Sequence, residues 1–243
     1  MKRFFSVLIV LTLILSGCGA QDDGLFHNGI VQPFTDLITF FAGFFAGSYG
    51  MGIVLVTLCV RFMMMPMMLS TVKQQKKMQA NMKVAGPKIK EIQDKMKLAK
   101  DPEEKSVLSQ ELMKIYGEHN INPMNMGCLP IIVQMPILTG LYFAIIHSKS
   151  IAAQSFLWFN LGTPDLLMML IAGGLYFLQS WISIQYMPEE SRKQMWPMAI
   201  MSPLMIIFIS FHSPAALPLY WSVGAIVLIF QQFISNKLFS DIK

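Results

Sequence analysis

Apolar residues dominate this chain in long runs, and shorter polar stretches separate them. About 20 apolar residues in a helix cover a bilayer core, so runs of that kind predict membrane-crossing helices. Five are expected, at 50–70, 127–147, 164–186, 196–211 and 215–234, the fourth being the shortest. Between residues 30 and 45 the pattern differs. Phe34, Leu37, Ile38, Phe41, Phe44 and Phe45 recur at helical spacing, while Gln32, Thr35, Asp36 and Thr39 fall elsewhere. That stretch predicts an amphipathic helix lying at the outer membrane surface, closed off by Gly47-Ser48-Tyr49-Gly50. The alternative is that it simply begins the first span.

The first residues have the form of a bacterial signal: Lys2 and Arg3, an apolar run over 4–15, then small residues. The ending Leu15-Ser16-Gly17-Cys18 is similar to a lipobox, at which Cys18 is lipid-modified and becomes the mature N-terminus. On that basis residues 1–17 are a removed signal, and 18–49 are an outer linker followed by the interfacial helix. An ordinary signal peptide or uncleaved anchor with an incidental cysteine is the alternative.

After Ser70 the character changes. Eleven lysines fall between Lys73 and Lys114, interleaved with Glu91, Asp94, Asp101, Glu103, Glu104 and Glu111, whereas residues 18–49 hold no lysine or arginine. The positive-inside rule makes 71–126 cytoplasmic, and five spans then leave the C-terminus inside. A helical hairpin is expected there. Gly86-Pro87 should break its first helix. Asp101-Pro102-Glu103-Glu104 should start the second and Gly117 end it. Ile89, Ile92 and Met96 would face Leu108, Leu112 and Ile115. A short outer loop over 148–163, an inner loop over 187–195 and an inner tail over 235–243 complete the layout.

Composition agrees with a multi-span membrane protein. Hydrophobic residues make up 54% and charged ones 14%, against about 25% charged in soluble domains, and mean hydropathy is +0.51. The three cysteines have no metal or disulfide spacing. Mixed-sign charge without an arginine cluster or stacking platform argues against nucleic-acid recognition. No nucleotide motif or catalytic pair points to an enzyme or a cofactor.

The anomaly is Arg61, roughly halfway along the first span. A lone charge in hydrocarbon costs between about 3 and 17 kcal/mol, depending on how much water reaches it. The interiors of the five spans contain no Asp or Glu to pair with it, Asp165 sitting at the outer end of one. They do supply neutral polarity: Thr57 one turn away, Gln134, Gln179, Ser183 and Ser222 among others. A wet cavity holding one permanent positive charge is therefore expected. The structural alternative binds Arg61 to carbonyls and amides in a packed bundle. Pro66, Pro203 and Pro218 lie within spans and imply local breaks. Met63, Met64, Met65, Met67 and Met68 crowd beside Arg61, a flexible surface suited to varied apolar partners.

The arginine-bearing span, the charged hairpin, Asn122-Pro123, Cys128-Leu129-Pro130, Gln134-Met135-Pro136 and Leu219-Tyr220-Trp221 together resemble the YidC/Oxa/Alb membrane protein insertase family. The lipobox and short outer segment are similar to its Gram-positive SpoIIIJ-like lipoprotein type. The resemblance implies an all-α fold of five transmembrane helices around a hydrophilic groove, open to cytoplasm and lipid. It places Arg61 in that groove, with Gln134, Tyr220 and Trp221 on the wall. The implied partners are nascent membrane proteins, the Sec translocon and membrane lipids. The hairpin would dock the ribosome or the signal recognition particle receptor. An anion channel or transporter using Arg61, and a purely scaffolding assembly factor, are the rival functions.

Overall fold

The computed structural model describes residues 26–121, 128–187 and 189–241; the lipobox and Asn122-Pro123 lie outside them. The chain forms two compact units, Met1–Met64 with Ile132–Gln232, and Met65–Ile131 with Phe233–Lys243.

In the first unit a π-helical turn (His27–Val31) leads into α1 (Gln32–Gly43). Ala46 and Gly47 then take positive φ, and the chain reverses into α2 (Tyr49–Leu98). α4 (Cys128–His147), α6 (Leu166–Gln185), α7 (Glu189–His212) and α8 (Ala216–Leu238) follow, with α6 packed on α7. Gly173 is the close approach there: a Cβ on it would stand 2.4 Å from Ile207. Asp165 caps α6, accepting from the Met168 amide at 2.7 Å.

Among the described residues four helices are long and apolar enough to cross a membrane, namely Tyr49–Leu98, Leu166–Gln185, Met195–His212 and Ala216–Leu238. A shorter apolar helix covers Val133–His147, within the remaining expected span.

Several elements differ from expectation. The segment 148–163 is not a plain loop. It carries a short helix, α5 (Lys149–Ala152), and a two-stranded hairpin of β1 (Ser155–Phe156) and β2 (Phe159–Asn160). Helix α7 begins at Glu189, inside the expected 187–195 loop, and continues through Pro197 and Pro203 to His212. Helix α8 runs past 234 to Leu238, into the expected tail. The prolines do not break their helices. Pro218 falls in the first turn of α8, where its missing N–H has no helical partner to lose. Pro66 and Pro203 each remove one backbone bond from helices that continue on both sides.

The hydrophobic core of this unit gathers in the half of each helix nearer the 148–163 segment. It includes Ile38, Ile53, Val56, Leu141, Ile145, Ile151, Phe159, Leu161, Met168, Leu217 and Trp221. Gln154 ties that end together. Its Nε2 donates to the Gly47 carbonyl at 2.9 Å, and its Oε1 accepts from the Tyr49 amide. The Ala216 amide donates to the Leu161 carbonyl at 3.1 Å and fixes the start of α8.

In the second unit, α2 runs unbroken through Gly86-Pro87 to Leu98, contrary to the expected break. An internal proline costs about 3 kcal/mol. Gly86 lacks the Cβ that would collide with the proline ring, and Ala85, Ile89 and Ile92 are buried in one stripe across the site. α3 (Pro102–Glu118) starts as expected, with Asp101 accepting from the Glu103 amide at 3.2 Å. Gly117 does not end it. Asn120 does, in the left-handed conformation, with the Ile121 amide returning to the Tyr116 carbonyl at 2.8 Å. Leu108, Ile115 and Ile121 pack on the α2 stripe, with Met96 and Leu112 half-buried against them. Lys76 donates to the Phe239 carbonyl at 3.4 Å, and Lys73 lies over the Phe239 ring.

Candidate functional site

Arg61 sits on α2 one turn beyond the core residues Ile53, Val56 and Thr57, and it is 8% exposed. Its guanidinium is 5.9 Å from the centroid of the Tyr220 ring on α8, within cation–π range. One turn along α8 from Tyr220 lies Gly224. A Cβ built there would stand 2.7 Å from Nη2 and 3.1 Å from Nε of Arg61. The guanidinium therefore rests against bare α8 backbone. Tyr176 on α6 also interacts with Arg61 and Tyr220. Arg61 Nε is buried and, among the described residues, has no hydrogen-bond partner. Among the described residues the ion pairs are Lys95–Glu91 and Lys97–Asp94, and neither involves Arg61.

The other expected residues divide. Gln134 joins the site, because its side-chain amide donates to the Tyr220 hydroxyl and links α4 to α8. Thr57 is adjacent but spent locally. Its hydroxyl donates to the Ile53 carbonyl at 2.7 Å, and the residue is buried. Gln179 and Ser183 form a second polar chain, in which Gln179 donates to Ser183 at 3.2 Å and Ser183 to Gln232 at 3.3 Å. Trp221 belongs to the hydrophobic core. Tyr220 belongs to the same buried cluster, and it is Tyr220 whose ring and hydroxyl reach Arg61 and Gln134. Cys18 lies outside the described residues.

Two residues of the site escape the sequence reading, Tyr176 and Gly224. For Tyr176 a signal was present: Tyr176, Gln179, Ser180 and Ser183 recur at helical spacing on one face of an otherwise apolar helix. For Gly224 there was none, since its role is to be empty. What the arrangement can do is electrostatic. One permanent positive charge is held by aromatic faces and backbone, with a donor left over and no acidic partner among the described residues. Among the described residues no three His, Cys, Asp or Glu side chains come together as a metal site requires.

A family model described as the 60Kd inner membrane protein matches residues 40–241. The chain is 46% identical over 241 residues to "Membrane protein insertase YidC 2" of Listeria monocytogenes serotype 4b (strain F2365), covering 97% of this chain and 87% of that one. It is 42% identical over 224 residues to "Membrane protein insertase MisCB" of Bacillus subtilis (strain 168), covering 89% and 82%. To "Membrane protein insertase YidC" of Staphylococcus haemolyticus (strain JCSC1435) it is 39% identical over 251 residues, covering 99% and 86%. Among solved structures it is similar to "Active YidC insertase crystal structure with the first transmembrane domain resolved", with a TM-score of 0.57 and 22% identity. That match covers 93% of this chain and 49% of the other, and it speaks for the fold alone.

Proposed function

The chain belongs to the 60Kd inner membrane protein family, the YidC/Oxa insertases, and from that membership we propose that it inserts nascent membrane proteins into the bilayer. The observation that carries the mechanism is the buried guanidinium of Arg61, which has no acidic partner and a free Nε among the described residues. A hydrophilic, often acidic segment of a client reaches this side chain from the cytoplasmic side. The leftover N–H and the positive charge offset part of the segment's dehydration cost. Its apolar segment meanwhile moves along α2 and α8 into lipid, drawn by hydrophobic partition. Nothing covalent is required. With Arg61 only 8% exposed, the helices part as the client enters.

In the same proposal Cys18 carries lipid on the outer face and α1 lies at that surface. The lysine-rich hairpin is cytoplasmic, where it meets the ribosome or the signal recognition particle receptor, and the protein works alone or with the Sec translocon. The test compares Arg61→Ala with Arg61→Lys in a strain that depends on this protein. Alanine should abolish insertion of single-span clients with acidic translocated segments, and lysine should retain most of it. Full insertion by the alanine variant would overturn the electrostatic role.

A further inference from the structure

We infer that Gly224 is a positioning residue for Arg61, the shelf on α8 whose missing side chain lets the guanidinium lie where it does; this rests on the role proposed for Arg61. The glycines of the chain differ in what occupies the place of their absent Cβ. At Gly52 it is the Ile38 carbonyl, and at Gly162 the Ala152 carbonyl, so those two glycines permit backbone to approach backbone. At Gly50, Gly140 and Gly173 the space is taken by apolar side chains, of Phe156, of Ile30 and Phe34, and of Ile207. Among the described glycines, Gly224 is the one whose space is filled by a charged group. Nη2, Nε and Cζ of Arg61 would lie 2.7, 3.1 and 3.3 Å from its Cβ.

The atoms met at Gly224 are the far end of a long, flexible side chain. An added methyl can therefore be accommodated by moving the guanidinium, without moving either helix. Alanine also favours a helix over glycine. Gly224→Ala should leave the fold as stable as before, or more so, while displacing the charge from the Tyr220 ring. Position 224 thus governs where the charge points. A glycine there for helix packing alone would behave in the opposite way, losing stability first.

The experiment measures insertion of two single-span clients that differ only in an acidic or a neutral translocated segment, in the dependent strain. Accumulation and thermal unfolding of each purified variant are followed in parallel. Gly224→Ala should lower insertion of the acidic client at least five-fold, leave the neutral client within two-fold, and leave the unfolding temperature unchanged or raised. In an Arg61→Lys background, whose compact ammonium has no fork to collide, adding Gly224→Ala should change neither client. Unchanged insertion by Gly224→Ala would overturn the inference. So would equal loss for both clients, a falling unfolding temperature, or an undiminished effect in the lysine background. If Arg61→Ala itself inserts the acidic client normally, the proposed function fails first. If Arg61→Ala fails while Gly224→Ala is silent, only the positioning role is lost.

Discussion

Tyr220 serves two neighbours, its ring facing the Arg61 guanidinium and its hydroxyl accepting from Gln134. Tyr220→Phe keeps the ring and strands the Gln134 amide in a half-buried site, which should cost about 1–3 kcal/mol. Tyr220→Phe combined with Gln134→Leu removes both partners and should recover most of the loss, read as the thermal unfolding shift of the purified protein in detergent. A double variant as unstable as the single one would mean that the bond is incidental. Arg61 was legible from sequence because a charge inside an apolar run is a local fact. Its lack of a carboxylate was legible because the span interiors contain none, Asp165 lying at a span end. The Gln134–Tyr220 bond joins residues 86 apart. It depends on how two helices are rotated against each other, which no local pattern records. Tyr220 and Trp221 were both expected at the wall, and both lie in the buried cluster, where Tyr220 reaches Arg61 and Gln134.

Helix starts were legible where a side chain satisfies a backbone amide locally. Asp101 was placed at a helix start, and it accepts from the Glu103 amide in the first turn, as Asp165 does from the Met168 amide in α6. Asp101→Ala should therefore cost about 1 kcal/mol, roughly five-fold in amide protection. Hydrogen exchange should show that change confined to the first turn of α3, and a change spread over α2 and α3 together would contradict a purely local cap. Helix interruptions were less legible. Gly86-Pro87 reads as a stop, yet burial of Ala85, Ile89 and Ile92 continues through it, so packing outweighs a lost bond. Two-residue strands such as Ser155–Phe156 are too short to show an alternating pattern, and the β-hairpin between α5 and α6 left no mark in the sequence. The exposed pairs Lys95–Glu91 and Lys97–Asp94 contribute little to α2, since exposed pairs are solvated in either state.

At the scale of the whole chain, fold class follows from composition and run length, because lipid leaves an apolar run of that length few options but helix. What sequence did not reveal is that the first unit packs unevenly. Its core collects near the Gln154 tie, while Phe62 and Met63, just past Arg61, are exposed. In the proposed function, that is where a client would meet Arg61. The most direct measurement is the reactivity of Arg61→Cys, in a variant lacking the native cysteines, toward a small membrane-impermeant thiol reagent applied from each face. The account predicts labelling from the cytoplasmic face and none from outside. A cysteine that reacts from neither face until the protein is denatured would contradict it.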